Sequence, residues 1–212
     1  MGKTGTTNLN IYKESDFTST YKIDENTIKF INNPRWYDGT RLTETISMEC
    51  LALDRIPNLP KFDLLKIDIQ CGELNVFKNV KQVLKPAICV IPEVGFFPLY
   101  ENAPDFADVH NELINQGFLF HKFMFQKQVH LHGSLSSNRK INGIKNQLID
   151  GDAVYIRDPR KLTQYDTDML KKFLLLAHFV FDSKDLAILI LDELVKRDVV
   201  SNGILKGYLD LV

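Results

Sequence analysis

Three acidic side chains occupy positions from which an α/β protein could move a proton. Asp68 lies at the end of the apolar run 62–69, Glu73 opens a segment with helical periodicity, and Glu93 follows the apolar run 87–91. Carboxylates can orient a hydroxyl group or take its proton. Ligands of open parallel sheets bind beyond the carboxyl ends of the strands, so we expect Asp68 and Glu93 beside one ligand. The same spacing also fits a structural role, in which Asp68 caps a helix and Glu73 complements the helix dipole.

A strand, a tight turn and a helix must position these carboxylates. The run 62–69 is apolar apart from three charged residues, which is typical of a strand buried on both faces in a parallel sheet. Gly72 allows a sharp turn after it. Apolar residues recur every three or four positions over 73–84, which predicts a helix, and Pro86 prevents its continuation. The run 87–91 then predicts a second buried parallel strand.

An aromatic group follows the second predicted strand. Phe96, Phe97 and Tyr100 lie within a few residues of Glu93. They fit an aromatic wall over a bound ligand. They fit equally well as packing beneath the loop.

The pair His130 and His132 could place two imidazoles on one face of a strand, as in some metal sites. No third ligand is marked near the pair in the sequence, and a polar turn begins at Gly133. We therefore predict no metal site.

Further elements follow from periodicity. Alternating apolar and polar residues predict strands at 8–12, 21–23 and 43–53, and further strands are predicted at 118–125 and 152–156. The run 118–125 is apolar on both faces and is therefore predicted to be an interior strand. Asp38-Gly39 signals a turn. Pro104 and Gly117 are typical of the first position of a helix and the position just past its end.

The last fifty residues differ from the rest. Helical patterns cover 166–181 and 183–197, with Ser183 suited to cap the second, and a final piece spans 203–212. We predict a helical extension over 161–212. It could cover the sheet's edge, recruit a partner or form a dimer.

Composition excludes several classes of function. The 212 residues carry a net charge of −1, with no run of basic residues, so no nucleic-acid partner is predicted. No apolar segment approaches the ~18 residues of a membrane span, and no signal-peptide pattern opens the chain. The three cysteines lie in or beside apolar runs, which is typical of reduced thiols. The expected compartment is therefore the cytoplasm.

The stretch 62–79, FDLLKIDIQCGELNVFKN, resembles the central signature of the FkbM-type methyltransferases. That signature is a strand ending Lys-x-Asp-(Val/Ile)-(Glu/Gln)-Gly-x-Glu, followed by a helix. The matching residues are Lys66, Asp68, Ile69, Gln70 and Glu73. Cys71 stands where the family usually has glycine. Further matches are Leu53-Asp54, Glu93-Val94, the residues 98–101 and the stretch GDAVYIRDP at 151–159. The resemblance covers roughly residues 5 to 160.

The resemblance implies an α/β fold with a partial Rossmann-like class I methyltransferase sheet, mostly parallel. It also implies a β-ribbon insertion, a domain over 1–160 and a C-terminal helical appendage over 161–212. The implied cofactor is S-adenosyl-L-methionine, and the implied reaction is methylation of a hydroxyl group on a sugar or natural product. Asp68 is then the expected catalytic residue, with Glu73 and Glu93 beside it. Asp68 and Gln70 could line the cofactor, and Phe96, Phe97 and Tyr100 could contact the acceptor.

One part of the family's domain has no counterpart before Asp68. The family begins with a strand and a glycine-rich turn that holds the cofactor, and neither precedes Asp68 in this sequence. We therefore expect an N-terminally incomplete piece of a methyltransferase. Two alternatives remain: a partner or a second copy of the chain supplies the missing half, or the chain is a non-catalytic glycan- or protein-binding module.

Overall fold

Six strands form two sheets in the structure, a computed structural model that describes residues 2–141 and 143–211. In chain order the strands are β1 (Gly5–Tyr12), β2 (Leu42–Cys50), β3 (Leu64–Ile67), β4 (Cys89–Gly95), β5 (Phe118–Val129) and β6 (Gln147–Arg157). The first two pair as an antiparallel ribbon, and the other four form a sheet in the order β3–β4–β6–β5. Met1 and Val212, the outer ends of the predicted domains 1–160 and 161–212, lie outside the described residues.

Seven α-helices lie within this described part of the chain. They are α1 (Glu25–Ile31), α2 (Pro34–Gly39), α3 (Glu73–Asn79), α4 (Phe106–Asn115), α5 (Thr167–Leu175), α6 (Lys184–Lys196) and α7 (Gly203–Leu209). A π-helical turn, Leu176–Val180, continues α5. None of these helices has both the length and the apolar character that a membrane crossing requires.

The four-stranded sheet is mixed. β3 and β4 are parallel, whereas β6 runs antiparallel to both β4 and β5. The α/β class is therefore confirmed, whereas a mostly parallel Rossmann-like sheet is not: one of the three strand pairings is parallel, and β6 runs opposite to the other three strands. A buried apolar run such as 87–91 indicates that a strand is covered on both faces, and it does not reveal the direction of the neighbouring strands.

The run 118–125 is wrongly predicted as an interior strand, because β5 is an edge of the sheet. Phe118 is fully buried, whereas Phe125 is 56% exposed. The face of β5 that carries Phe120 and Phe123 packs in the core. An apolar run therefore does not by itself establish an interior strand, because β5 is partly exposed at the edge of the sheet.

The N-terminal elements match the predictions in part. β1 and β2 confirm the predicted strands at 8–12 and 43–53. The predicted strand at 21–23 is wrong: Ile23 makes an isolated bridge to Tyr100, and Asp24 caps α1 with its carboxylate. The predicted turn at Asp38-Gly39 is the end of α2 instead.

α3 ends five residues earlier than its apolar periodicity predicts. The Asp54 carboxylate accepts hydrogen bonds from the backbone N–H groups of Lys81, Gln82 and Val83, at 2.8, 3.0 and 2.9 Å. These amides would otherwise bond to carbonyls one turn earlier in a continued helix. A side chain from a distant segment therefore ends the helix.

Helices cover both faces of the sheet. α3 and α4 pack on one face, in a core that includes Phe77, Leu113 and Tyr155. α5, α6 and α7 pack on the other face, around Phe173 and Ile190. The helical patterns predicted at 166–181 and 183–197 are confirmed, and the C-terminal helices cover a face of the sheet rather than its edge.

Candidate functional site

The turn between β3 and α3 is strained. Gln70 and Cys71 have φ angles of +51° and +72°, in the left-handed region that residues with a Cβ seldom adopt. Such conformations cost about 1–3 kcal/mol each and persist where surrounding contacts hold them. Here the Ser19 hydroxyl donates to the Gln70 carbonyl at 2.5 Å. The turn therefore depends on a contact from the N-terminal segment.

The Gln70 side chain joins the polar groups of the site. Its Nε2 donates to Asp68 Oδ1 at 3.1 Å and to Glu93 Oε2 at 2.7 Å. Its Oε1 accepts from the Tyr100 hydroxyl at 3.1 Å. A carboxylate can only accept and a phenol can donate, so these partners determine the orientation of the amide. Gln70 therefore bridges Asp68 and Glu93, which lie close together as predicted.

Glu93 lies within β4, opposite Asp152 of β6, rather than after the strand's end as the sequence suggests. Burial raises the pKa of its carboxyl above the ordinary value, and the neighbouring carboxylates Asp150 and Asp68 raise it further. Burial also raises the pKa of Asp150, while Lys127, 3.5 Å away, opposes that shift. Like charges this close favour a protonated member of the cluster.

Glu73 is an interior residue rather than part of the cleft's surface. Its side chain is buried, and Oε1 accepts a hydrogen bond from the Ile69 N–H at 2.6 Å. Burial raises the pKa of its carboxyl from 4.5 to about 7. Glu73 therefore stabilises the turn from the protein interior through its hydrogen bond with the Ile69 N–H.

We expect Glu73 to make the stability of the protein fall as the pH rises. The folded state keeps a proton on this carboxyl between about pH 4.5 and 7, where the unfolded chain releases it. Glu73 therefore contributes about 3 kcal/mol to the free energy of unfolding below pH 4.5, and this contribution is lost as the pH rises through 7. Urea unfolding at pH 5 and pH 8 measures the change. Glu73→Gln keeps the acceptor for Ile69 and should remove this part of the pH dependence. If the wild type and Glu73→Gln differ in free energy of unfolding by the same amount at both pH values, the raised pKa of Glu73 is contradicted.

An open cleft of about 570 Å³ lies in front of the turn. Its lining is Leu9, Ser15, Asp16, Thr18, Asp68, Ile69, Gln70, Glu93 and Lys127. The residues from β1, from the segment 15–18 and from β5 were not predicted. They are distant from Asp68 in sequence, and no local pattern marks them.

The predicted aromatic residues divide between two places. Phe97 and Tyr100 line a small cavity directly behind Gln70, together with Asp150. Phe96 points to the other side, where its ring packs at 5.3 Å from the ring of Phe106. Phe97 and Tyr100 therefore lie behind Gln70 and outside the lining of the cleft, and Phe96 packs against the core. Their contact with an acceptor stays a prediction.

The two histidines of the predicted strand do lie together, with ring centroids 4.8 Å apart for His130 and His132. Within residues 2–141 and 143–211, no group of three or more His, Cys, Asp or Glu side chains is arranged to hold a metal ion. All three cysteines are free thiols.

Comparison with known families identifies a match over the first part of the chain. A family model described as the methyltransferase FkbM domain matches residues 2–120. The matched region is more than half of the 212 residues and contains the β3–α3 turn and Glu93. The resemblance seen in the sequence is thereby confirmed. Searches of curated proteins and of solved structures gave no match.

Proposed function

Since the chain belongs to the methyltransferase FkbM family, we propose that it carries out S-adenosylmethionine-dependent methylation of a hydroxyl oxygen on a small-molecule or glycan acceptor. The observation that carries this proposal is the Gln70 amide. It holds Asp68 and Glu93 at one end of a cleft large enough for a ligand. A carboxylate held beside a ligand cleft is what removal of a hydroxyl proton requires.

The lining of the cleft suits the charged end of the cofactor. Ligand sites typically enclose about 300–1,000 Å³, and this cleft has about 570 Å³. Its ionisable side chains are three acidic residues, Asp16, Asp68 and Glu93, and one lysine, Lys127. Carboxylates attract a sulfonium cation and accept hydrogen bonds from ribose hydroxyls. Asp68 and Gln70 would line the cofactor here.

The chain's own residues would position the acceptor and remove its proton. When bound, S-adenosylmethionine would supply an activated methyl group for the acceptor oxygen, with its neutral thioether as the leaving group. Asp68, exposed to the cleft, takes the proton from the acceptor hydroxyl. Gln70 and Glu93 keep Asp68 in place, and this positioning is the main requirement of an in-line displacement.

Calorimetric titration with S-adenosylmethionine and S-adenosylhomocysteine tests the proposal. We expect the purified chain to bind both near micromolar concentration, about −8 kcal/mol. Asp16→Asn should weaken binding of the cationic cofactor more than binding of the uncharged thioether product, because it removes a negative charge from the cleft. Asp210→Asn removes an exposed carboxylate just after α7 and is the matched control.

A folded chain that takes up neither compound would contradict the proposal. Circular dichroism on the same sample establishes that the chain is folded. That outcome would favour the alternative, a non-catalytic module that binds a glycan or a protein.

A further inference from the structure

A second pocket, separate from the carboxylate cleft, lies between α2 and the end of β5. It has a volume of about 360 Å³, and we call it the basic pocket. Its charged or aromatic lining residues are Arg35, Trp36, Lys127, His130, His132 and Lys145. No aspartate or glutamate lines it among the described residues. This composition is the opposite of that of the cleft around Asp68.

The cations of the basic pocket are only partly neutralised. Arg35 pairs with Glu14 at 3.2 Å, and Lys127 pairs with Asp150 at 3.5 Å. Lys145 makes no ion pair with any residue that the structure describes. Clefts lined by one sign of charge concentrate ions of the other sign. The pocket therefore favours an anion.

Each of the two histidines has one ring nitrogen, Nδ1, close to a backbone carbonyl. His130 Nδ1 lies 2.6 Å from the Ile144 carbonyl oxygen, and His132 Nδ1 lies 3.2 Å from the Ile31 carbonyl oxygen. A carbonyl can only accept, so both Nδ1 atoms carry a hydrogen. His130 Nε2 is buried and has no hydrogen-bond partner among the described residues. An unpaired buried polar atom is costly, and this nitrogen belongs to a side chain that lines the basic pocket.

A metal ion is a poor match for this nitrogen. The two imidazoles lack a third metal-binding side chain in the described part of the chain, and two lysines and an arginine would repel a cation. An oxyanion has the opposite requirements. It accepts charge-assisted hydrogen bonds from guanidinium, ammonium and imidazolium groups.

We propose that the basic pocket binds a phosphate or sulfate group. Lys127 lines both this pocket and the carboxylate cleft. His130 lies three residues after Lys127, just beyond the end of β5. Three residues of extended chain span about 10 Å. The next step rests on the proposed function: the bound anion is a group of the methyl acceptor. The acceptor is then a phosphorylated or sulfated compound whose hydroxyl group reaches Asp68 from the adjoining pocket.

Titration with inorganic phosphate, sulfate and acetate at constant ionic strength tests the site. We expect saturable binding of phosphate and sulfate and weaker binding of acetate, since a tetrahedral oxyanion has more acceptor oxygens. Lys145→Gln and His130→Gln should each raise the dissociation constant for phosphate about tenfold, which is about 1.4 kcal/mol. Lys171→Gln, at an exposed lysine on α5, should leave it unchanged. Long-range ¹H–¹⁵N spectra of the imidazoles should show the His130 Nε2 signal shifting with phosphate.

Three results would overturn the proposal. They are the absence of saturable phosphate binding, equal phosphate affinity in the wild type and both pocket variants, and tight Zn²⁺ binding that His130→Gln abolishes. Thermal unfolding of each variant separates loss of the site from loss of the fold. These titrations need neither cofactor nor acceptor. If phosphate does not bind, the anion site is excluded, and cofactor binding still tests the proposed methyl transfer. If the cofactor does not bind, the phosphate titrations still test the anion site.

Discussion

We expect Asp68→Asn to lower the rate of methyl transfer by about 10²–10⁴, the usual contribution of a positioned base. The asparagine oxygen can still accept the 3.1 Å hydrogen bond from Gln70, so the turn and the cleft should keep their geometry. On the proposed function, the variant loses the ability to take a proton from the acceptor. Transfer of a radiolabelled methyl group from S-adenosylmethionine to sugars and their phosphate and sulfate esters measures the effect.

The control for this prediction is Asp210→Asn, which removes an exposed carboxylate after α7 and should leave the rate unchanged. Affinity for S-adenosylhomocysteine and the free energy of unfolding should also stay close to those of the wild type in Asp68→Asn. Wild-type turnover in Asp68→Asn would exclude this residue as the base. Glu93→Gln would then be the next substitution, because Glu93 shares the same amide of Gln70.

The largest effect on stability is expected at Arg157. Its guanidinium donates hydrogen bonds to four backbone carbonyls, those of Leu84, Lys85, Ala87 and Gln116, at 2.7–2.9 Å. It also lies 3.9 Å from the centroid of the Phe118 ring. These contacts join the end of β6 to the segment before β4 and to the residue after α4. We expect Arg157→Met to lower the free energy of unfolding by about 3–4 kcal/mol, because several carbonyls lose a charged donor at once.

Arg157→Lys tests the geometric part of this argument. A single ammonium cannot reproduce the planar fork of a guanidinium, so we expect a loss of about 2 kcal/mol although the charge is kept. Arg160→Lys is the control, since the side chain of Arg160 is 77% exposed and pairs with the nearby Asp158. That change should stay within about 0.5 kcal/mol in urea unfolding. Equal effects at the two arginines would show that the carbonyl contacts of Arg157 contribute little.

Local sequence predicted the centre of the site well. The apolar run 62–69, the glycine at 72 and the helical periodicity after it are all short-range signals, and β3, the turn and α3 follow them. Asp68 and Glu93 come together because β3 and β4 are consecutive parallel neighbours. The family resemblance was carried by the same stretch, which is why it could be recognised from the residues alone.

Tertiary structure decided what surrounds that centre. Periodicity indicates which face of an element is apolar, but it does not indicate which distant element covers that face. β6 therefore lies in the sheet between β4 and β5 and runs antiparallel to both. Phe96 turned into the core, and Glu73 became a buried support of the turn. Lys127 came to line both pockets.

The sequence by itself thus determined the strand–turn–helix unit, its two cleft carboxylates and the family. The shape and charge of the two pockets were decided only by the tertiary structure. The physical reason is that each pocket is built from segments far apart in the chain, whose meeting depends on strand pairing and on the packing of helices against both faces of the sheet. A single side chain, Gln70, illustrates both parts: its position in the motif is local, but its partners Glu93 and Tyr100 are not.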